Sequence, residues 1–188
     1  LRLEEGESGG AFLAEAAAFA EGRLHLRVPP PDAPPGETRA GLIEALDRPI
    51  RVAGVVRNTG EPGGGPFWVV GEGGHASPQI VEAAEVDRAA ADQARALAAA
   101  THFNPVDLAC SLRDARGRPH DARRFADPDA VIVARKSFAG RDLLALERPG
   151  LWNGAMARWA TVFVEVPLAT FSPVKTLFDL LRPEHQPE

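Results

Sequence analysis

Lysine is almost missing from this chain. Its 21 basic residues comprise 19 arginines and only Lys136 and Lys175. Where arginine is preferred so strongly, a kept lysine draws notice. A compact, mobile ammonium acts on phosphate as a point charge, and a guanidinium is a poor substitute for it. The plain alternative for Lys175 is a solvated helix lysine. Cysteine is scarcer still. Cys110 alone excludes an internal disulfide and any cysteine zinc cluster, and on its apolar stretch it reads as a small buried residue. No apolar run approaches the roughly 18 residues of a membrane-spanning helix. There is no basic stripe, and the net charge is −5. Nucleic acid and anionic membrane surfaces are therefore not expected as partners. His25, His75, His102, His120 and His185 show no metal-ligand spacing. The lone cysteine fits a cytoplasmic setting. The first residue is Leu1, which suggests a piece of a longer protein.

What is present is enough for one domain with a core. The chain has 188 residues, of which 45% are hydrophobic and 25% charged. Residues 11–21 read as an alanine-rich helix ended by Gly22. Residues 24–28, LHLRV, alternate like a short strand. The proline-rich residues 29–36 form a surface loop, and a helix is expected from Glu37 to Asp47. IRVAGVV (50–56) is a mostly buried strand, FWVV (67–70) reads as a strand, and so does SPQIVEAAEVD with Gln79 and Glu82. Residues 87–100 predict a helix N-capped by Asp87. Pro105 stops it continuing, and Val106 to Leu112 fit either strand or helix. AVIVARKS (130–137) predicts a second buried strand, and Gly154 to Trp159 a short helix. The strand FVEV (163–166) then turns on Pro167 and Pro173 into a closing helix. Phe67, Trp68, Trp152 and Trp159 read as core rather than interface. The alternation implies an α/β class, a single domain over residues 1–188 with helices on the faces of its sheet.

Two stretches carry candidate chemistry. Gly63, Gly64 and Gly65 let backbone pass where a side chain would clash, and expose successive N–H groups to an anion. No GKS or GKT follows and the next element is a strand, so this is no Walker loop. A hairpin loop is the plain alternative. The second stretch is VPLATFSPVKTLFDLL (166–181), with Lys175 near the start of its helix.

Four segments, in order, resemble the later part of the UDP-glucose and UDP-N-acetylglucosamine pyrophosphorylases. The closing stretch is similar to that family's segment ending in F-x-P-(V/L)-K-(T/N), whose lysine binds substrate phosphate; the match is Lys175. GGGPFWVVGEGGHASPQIVEAAEVD resembles the family's glycines, strand, hairpin and Q-(V/L)-(V/L)-E, whose glutamate accepts hydrogen bonds from sugar hydroxyls; the match is Glu82. FNPVDL (103–108) resembles F-N-x-x-N-(I/L). It places Asn104 on the first asparagine and Asp107 on the second, a departure from the pattern. LERPGLWNGAMARW resembles the segment before the closing strand. The resemblance covers about residues 50–182. GEPGGGPFWV, THFNP, PGLWNG and the ending DLLRPEHQ resemble still more closely an uncharacterised bacterial family of unknown function, DUF4301.

The resemblance implies a mixed sheet flanked by helices, a partial nucleotide-diphospho-sugar transferase-like (Rossmann-like) fold. It also implies the sugar-phosphate side of an enzyme that moves a nucleotidyl group from a nucleoside triphosphate to a sugar 1-phosphate. The alternative is a non-catalytic sugar- or nucleotide-binding module of the same fold. The implied partners are a sugar phosphate and a nucleotide. An upstream nucleotide-binding part is expected beyond these residues, with Mg2+ in the full-length protein. Lys175 would hold the phosphate and Glu82, Asn104 and Asp107 would face the sugar. Gly63, Gly64 and Gly65 would allow close approach, and Arg57 is a further phosphate candidate. No metal ligands are expected within these residues.

Overall fold

The computed structural model describes residues 2–59, 64–105, 107–151, 153–172, 174 and 176–187. The Lys175 and Gly63 assignments, and that of Trp152, lie outside the described residues. Three α-helices and eight strands are described: α1 (Gly10–Leu24), α2 (Pro35–Leu46), β1 (Ile50–Arg57), β2 (Gly64–Val70), β3 (Ala76–Glu82), α3 (Ala91–Ala98), β4 (His102–Phe103), β5 (Leu108–Ser111), β6 (Ile132–Phe138), β7 (Arg141–Glu147) and β8 (Ala160–Glu165). Among them no helix is long and apolar enough to cross a membrane.

Strand β1 is the centre. Its β-branched run buries Ala53, Val55 and Val56. On one edge it runs parallel to β8, from Ile50 opposite Ala160 to Val55 opposite Glu165. On the other it runs antiparallel to β5 and then to β4. The sheet is therefore mixed. The hairpin β2–β3 packs against β4 and β8, and α1 and α2 close the far end. There Leu13, Ala20, Leu26 and Leu42 form a core with Ala160. The small side chains of α1 allow that close approach.

Several local expectations give way, each for an identifiable reason. α1 runs through Gly22, and His25 ends it at φ 52, in the left-handed region. The N–H of Leu26 then reaches back to the Ala20 carbonyl at 3.0 Å, so residues 24–28 cap a helix instead of joining a sheet. α2 begins at Pro35, where a missing N–H costs nothing. α3 starts later than expected. Asp87 accepts from the Ala89 N–H at 2.9 Å and closes a turn ahead of the helix, leaving Ala90 at the N-cap. β6 is a strand but only Ile132 is buried, because its partner is β7 alone. Residues 154–159 form turns, not a helix. Gly154 has φ +83, and a Cβ there would stand 2.5 Å from Ala130 Cβ. The closing helix is a 3-10 turn over Leu177–Leu181. Cys110 and Trp68 are exposed, not buried.

Candidate functional site

Gly54 interrupts the β-branched run of β1, and three of the family-like segments meet around it. Its N–H donates to the Asp107 carbonyl at 2.8 Å. Its own carbonyl accepts from Asn104 Nδ2 at 2.7 Å. A Cβ added at Gly54 would stand 3.1 Å from Asp107 Cβ and 3.5 Å from Val166 Cγ2. Glycine lets the two segments approach this closely without a shift. The register shows how the loop is made. Val56 faces Phe103 and Ala53 faces Leu108, so Gly54 and Val55 oppose a segment two residues longer than themselves (four against two). Asn104 and Asp107 are carried on this longer segment.

The hairpin supplies the next pieces. Gly64 faces Glu82 across β2–β3, and the Gly64 carbonyl accepts from the Asn104 N–H at 2.8 Å. A Cβ on Gly64 would be 3.6 Å from Glu82 Cγ. Gly65 is tighter, since a Cβ there would meet the His102 carbonyl oxygen at 2.9 Å. Gly64, Gly65, Glu82, Asn104 and Asp107 are thus brought together. They lie toward the carboxyl ends of the parallel pair β1 and β8, where open α/β sheets bind ligands. Glu82 is half-buried, and its carboxylate accepts none of the hydrogen bonds found among the described residues. Its backbone N–H donates to Glu85 Oε2 at 2.8 Å, and burial raises the Glu85 carboxyl above its ordinary value.

Asn104 differs from a simple ligand group. It is 4% exposed, and its amide is committed to Gly54. It ties the loop to the central strand. Arg57, at the exposed end of β1, is engaged with Glu165 at 3.0 Å. His102 reaches the same carboxylate at 3.5 Å, and the two hold the Glu165 carboxyl below its ordinary value, Arg57 chiefly. Among the described residues no group of three or more His, Cys, Asp or Glu side chains is placed to hold a metal ion.

Sequence reading missed Gly54, although a glycine inside IRVAGVV is the signal of close backbone approach. It also passed over Arg51, which is 2% exposed beneath the hairpin.

The fold defines an α/β protein whose candidate residues gather toward the carboxyl ends of two parallel strands of a mixed sheet. The chain belongs to a family described as a domain of unknown function (DUF4301), whose model matches residues 1–186. No curated protein matches the sequence. Among solved structures it is similar to a variant of UDP-glucose pyrophosphorylase from Leishmania major in complex with UDP-glucose. That match has 19% identity over 77% of this chain and 33% of the other, with a TM-score of 0.46. A second variant of that enzyme matches at 21% identity and a TM-score of 0.41, over the same shares. The open and closed structures of that enzyme give 22% identity and 0.38. The chain spans about a third of the length of these enzymes, 33%.

Proposed function

We propose that this chain is the sugar-phosphate side of a nucleotidyltransferase acting on a nucleoside triphosphate and a sugar 1-phosphate. A phosphate oxygen of the sugar phosphate attacks the α-phosphorus in line. The new P–O bond forms as the α–β bridge breaks, and pyrophosphate leaves. Such chemistry rests on positioning and charge neutralisation. The observation that carries the reading is the convergence at Gly54 of segments some fifty residues apart, in the order in which they resemble the pyrophosphorylases. In this reading the Glu82 carboxylate accepts hydrogen bonds from sugar hydroxyls. Asn104 holds the loop that borders the sugar, and Gly64 and Gly65 keep the backbone clear of side chains. Lys175 takes the phosphate. Magnesium belongs to the proposal for the full-length protein, and no step here passes through it.

Asp107 favours a second reading. A carboxylate stands where the resemblance expects an amide, and it repels phosphate. The protein would then bind sugar phosphates or nucleotides without turning them over. Pyrophosphate release separates the two. The full-length protein with magnesium is screened with nucleoside triphosphates against sugar 1-phosphates. Release that depends on one pair, and that Glu82→Gln and Lys175→Ala abolish, supports transfer. Saturable binding without release supports the binding module. Unchanged affinity in Lys175→Ala sinks the role given to that lysine.

A further inference from the structure

A cavity of about 460 Å³ lies between the β2–β3 hairpin, β1 and the turns before β8. This is within the size range of small-molecule sites. Its charged floor is Arg51, on the central strand. The Arg51 guanidinium donates from Nε to Thr161 Oγ1 at 2.8 Å and from Nη2 to Gln79 Oε1 at 2.6 Å. Both acceptors are neutral. Among the described residues no carboxylate comes within ion-pair distance of it, and burial lowers its pKa to about 10. A guanidinium has five N–H donors, and these two bonds use two of them. A buried charge is costly unless it is paired, and losing a partner is costlier still. Such a residue in a cavity wall implies a counter-charge that arrives from solution.

The cradle around it is ordered. Gln79 is held by its own Nε2, which donates to the Ala157 carbonyl at 3.1 Å and to Ser77 Oγ at 3.2 Å. Ser77 and Arg158 also line the cavity. The remaining charged groups of the wall are acidic: Glu85, Asp127 and Asp129. A bare polyanion would meet these carboxylates as well as Arg51. A ligand with an oxyanion at one end and hydroxyl or amino donors at the other matches both.

We propose that this cavity binds a small molecule through an oxyanion, a carboxylate or a phosphate, seated on Arg51, with hydroxyl or amino groups facing the acidic wall. This site is separate from the one around Gly54. Gln79 and Glu82 lie three residues apart on β3, so their side chains leave opposite faces of the hairpin.

The test is calorimetric titration of the protein at constant ionic strength with inorganic phosphate, glucose 1-phosphate and glycine. Saturable binding of at least one probe is expected. Arg51→Met should weaken it about tenfold or more, the loss expected for charge-assisted hydrogen bonds. Because removal of a buried arginine can unfold the chain, Ser77→Leu serves as the second variant. It fills the cavity while keeping both direct partners of the guanidinium, Thr161 and Gln79, and it should abolish binding. Absence of saturable binding of all three probes overturns the proposal. So does full affinity in a folded Arg51→Met or Ser77→Leu protein. The preferred probe names the oxyanion.

Discussion

The Asn104 side-chain amide donates to the Gly54 carbonyl at 2.7 Å, across fifty residues of chain. With the return bond from the Gly54 N–H to the Asp107 carbonyl, it fastens both ends of the bulged loop to one residue of the central strand. The loop's shape is therefore set by β1 rather than by its own turn chemistry.

Asn104→Ala should cost stability, since it leaves a buried carbonyl without its donor. The expected loss is about 1–3 kcal/mol in urea unfolding. Asn104→Asp should lose more at neutral pH, because it turns an acceptor toward an acceptor. Equal stability of Asn104→Ala and the parent chain would show that water replaces the amide at Gly54.

The two glycines of β2 should respond differently to alanine. At Gly65 the new Cβ meets backbone, the His102 carbonyl oxygen at 2.9 Å. At Gly64 it meets the Ile80 side chain at 3.0 Å, which can turn aside. Gly65→Ala should therefore be destabilised by about 1–3 kcal/mol, the ordinary cost of overpacking, and Gly64→Ala by less. Thermal unfolding of the two variants gives the order directly.

Arg57 lowers the Glu165 carboxyl pKa, so the contribution of this pair is present above the unfolded carboxyl pKa and fades as pH falls through the folded one. The pair is exposed, and salt should weaken it. In Arg57→Ala the Glu165 titration followed by NMR should move up toward the ordinary carboxylate value, with little change in melting temperature near neutral pH. An unmoved titration would contradict the pairing.

Glu85 has the opposite sign. Burial raises its folded pKa above the ordinary 4.5, so the folded chain holds that proton more tightly than the unfolded one. Stability contributed by protonated Glu85 is complete below the unfolded pKa and falls away as pH rises through the folded one. Glu85→Gln keeps an acceptor for the Glu82 N–H. It should melt higher than the parent at pH 7 to 8, with the difference closing as pH falls toward about 4. A constant difference across this range would rule out the charge as its cause.

Period and composition were enough to reveal α1, α2, the central strand, the hairpin strands β2 and β3, and β8. Each is a local pattern of apolar residues bounded by glycine or proline. The motif order also pointed to Gly64, Gly65, Glu82, Asn104 and Asp107 as a group. Elements whose state depends on partners could not be read this way. The run 130–137 is apolar enough for a buried strand, yet it lies in a two-stranded hairpin with most of its residues exposed. Residues 24–28 alternate like a strand, but a helix cap takes their hydrogen bond. Asn104 reads as a ligand group, and its amide also ties the loop to the central strand. Arg51 looked like one arginine among nineteen, and only tertiary structure put it beneath a hairpin on two neutral side-chain partners. The sequence by itself determined α1, α2, the central strand, the hairpin strands and β8, because backbone sterics and side-chain periodicity act over a few neighbouring residues. The tertiary structure alone decided which polar groups are buried together, because that depends on the register of strands far apart in the chain.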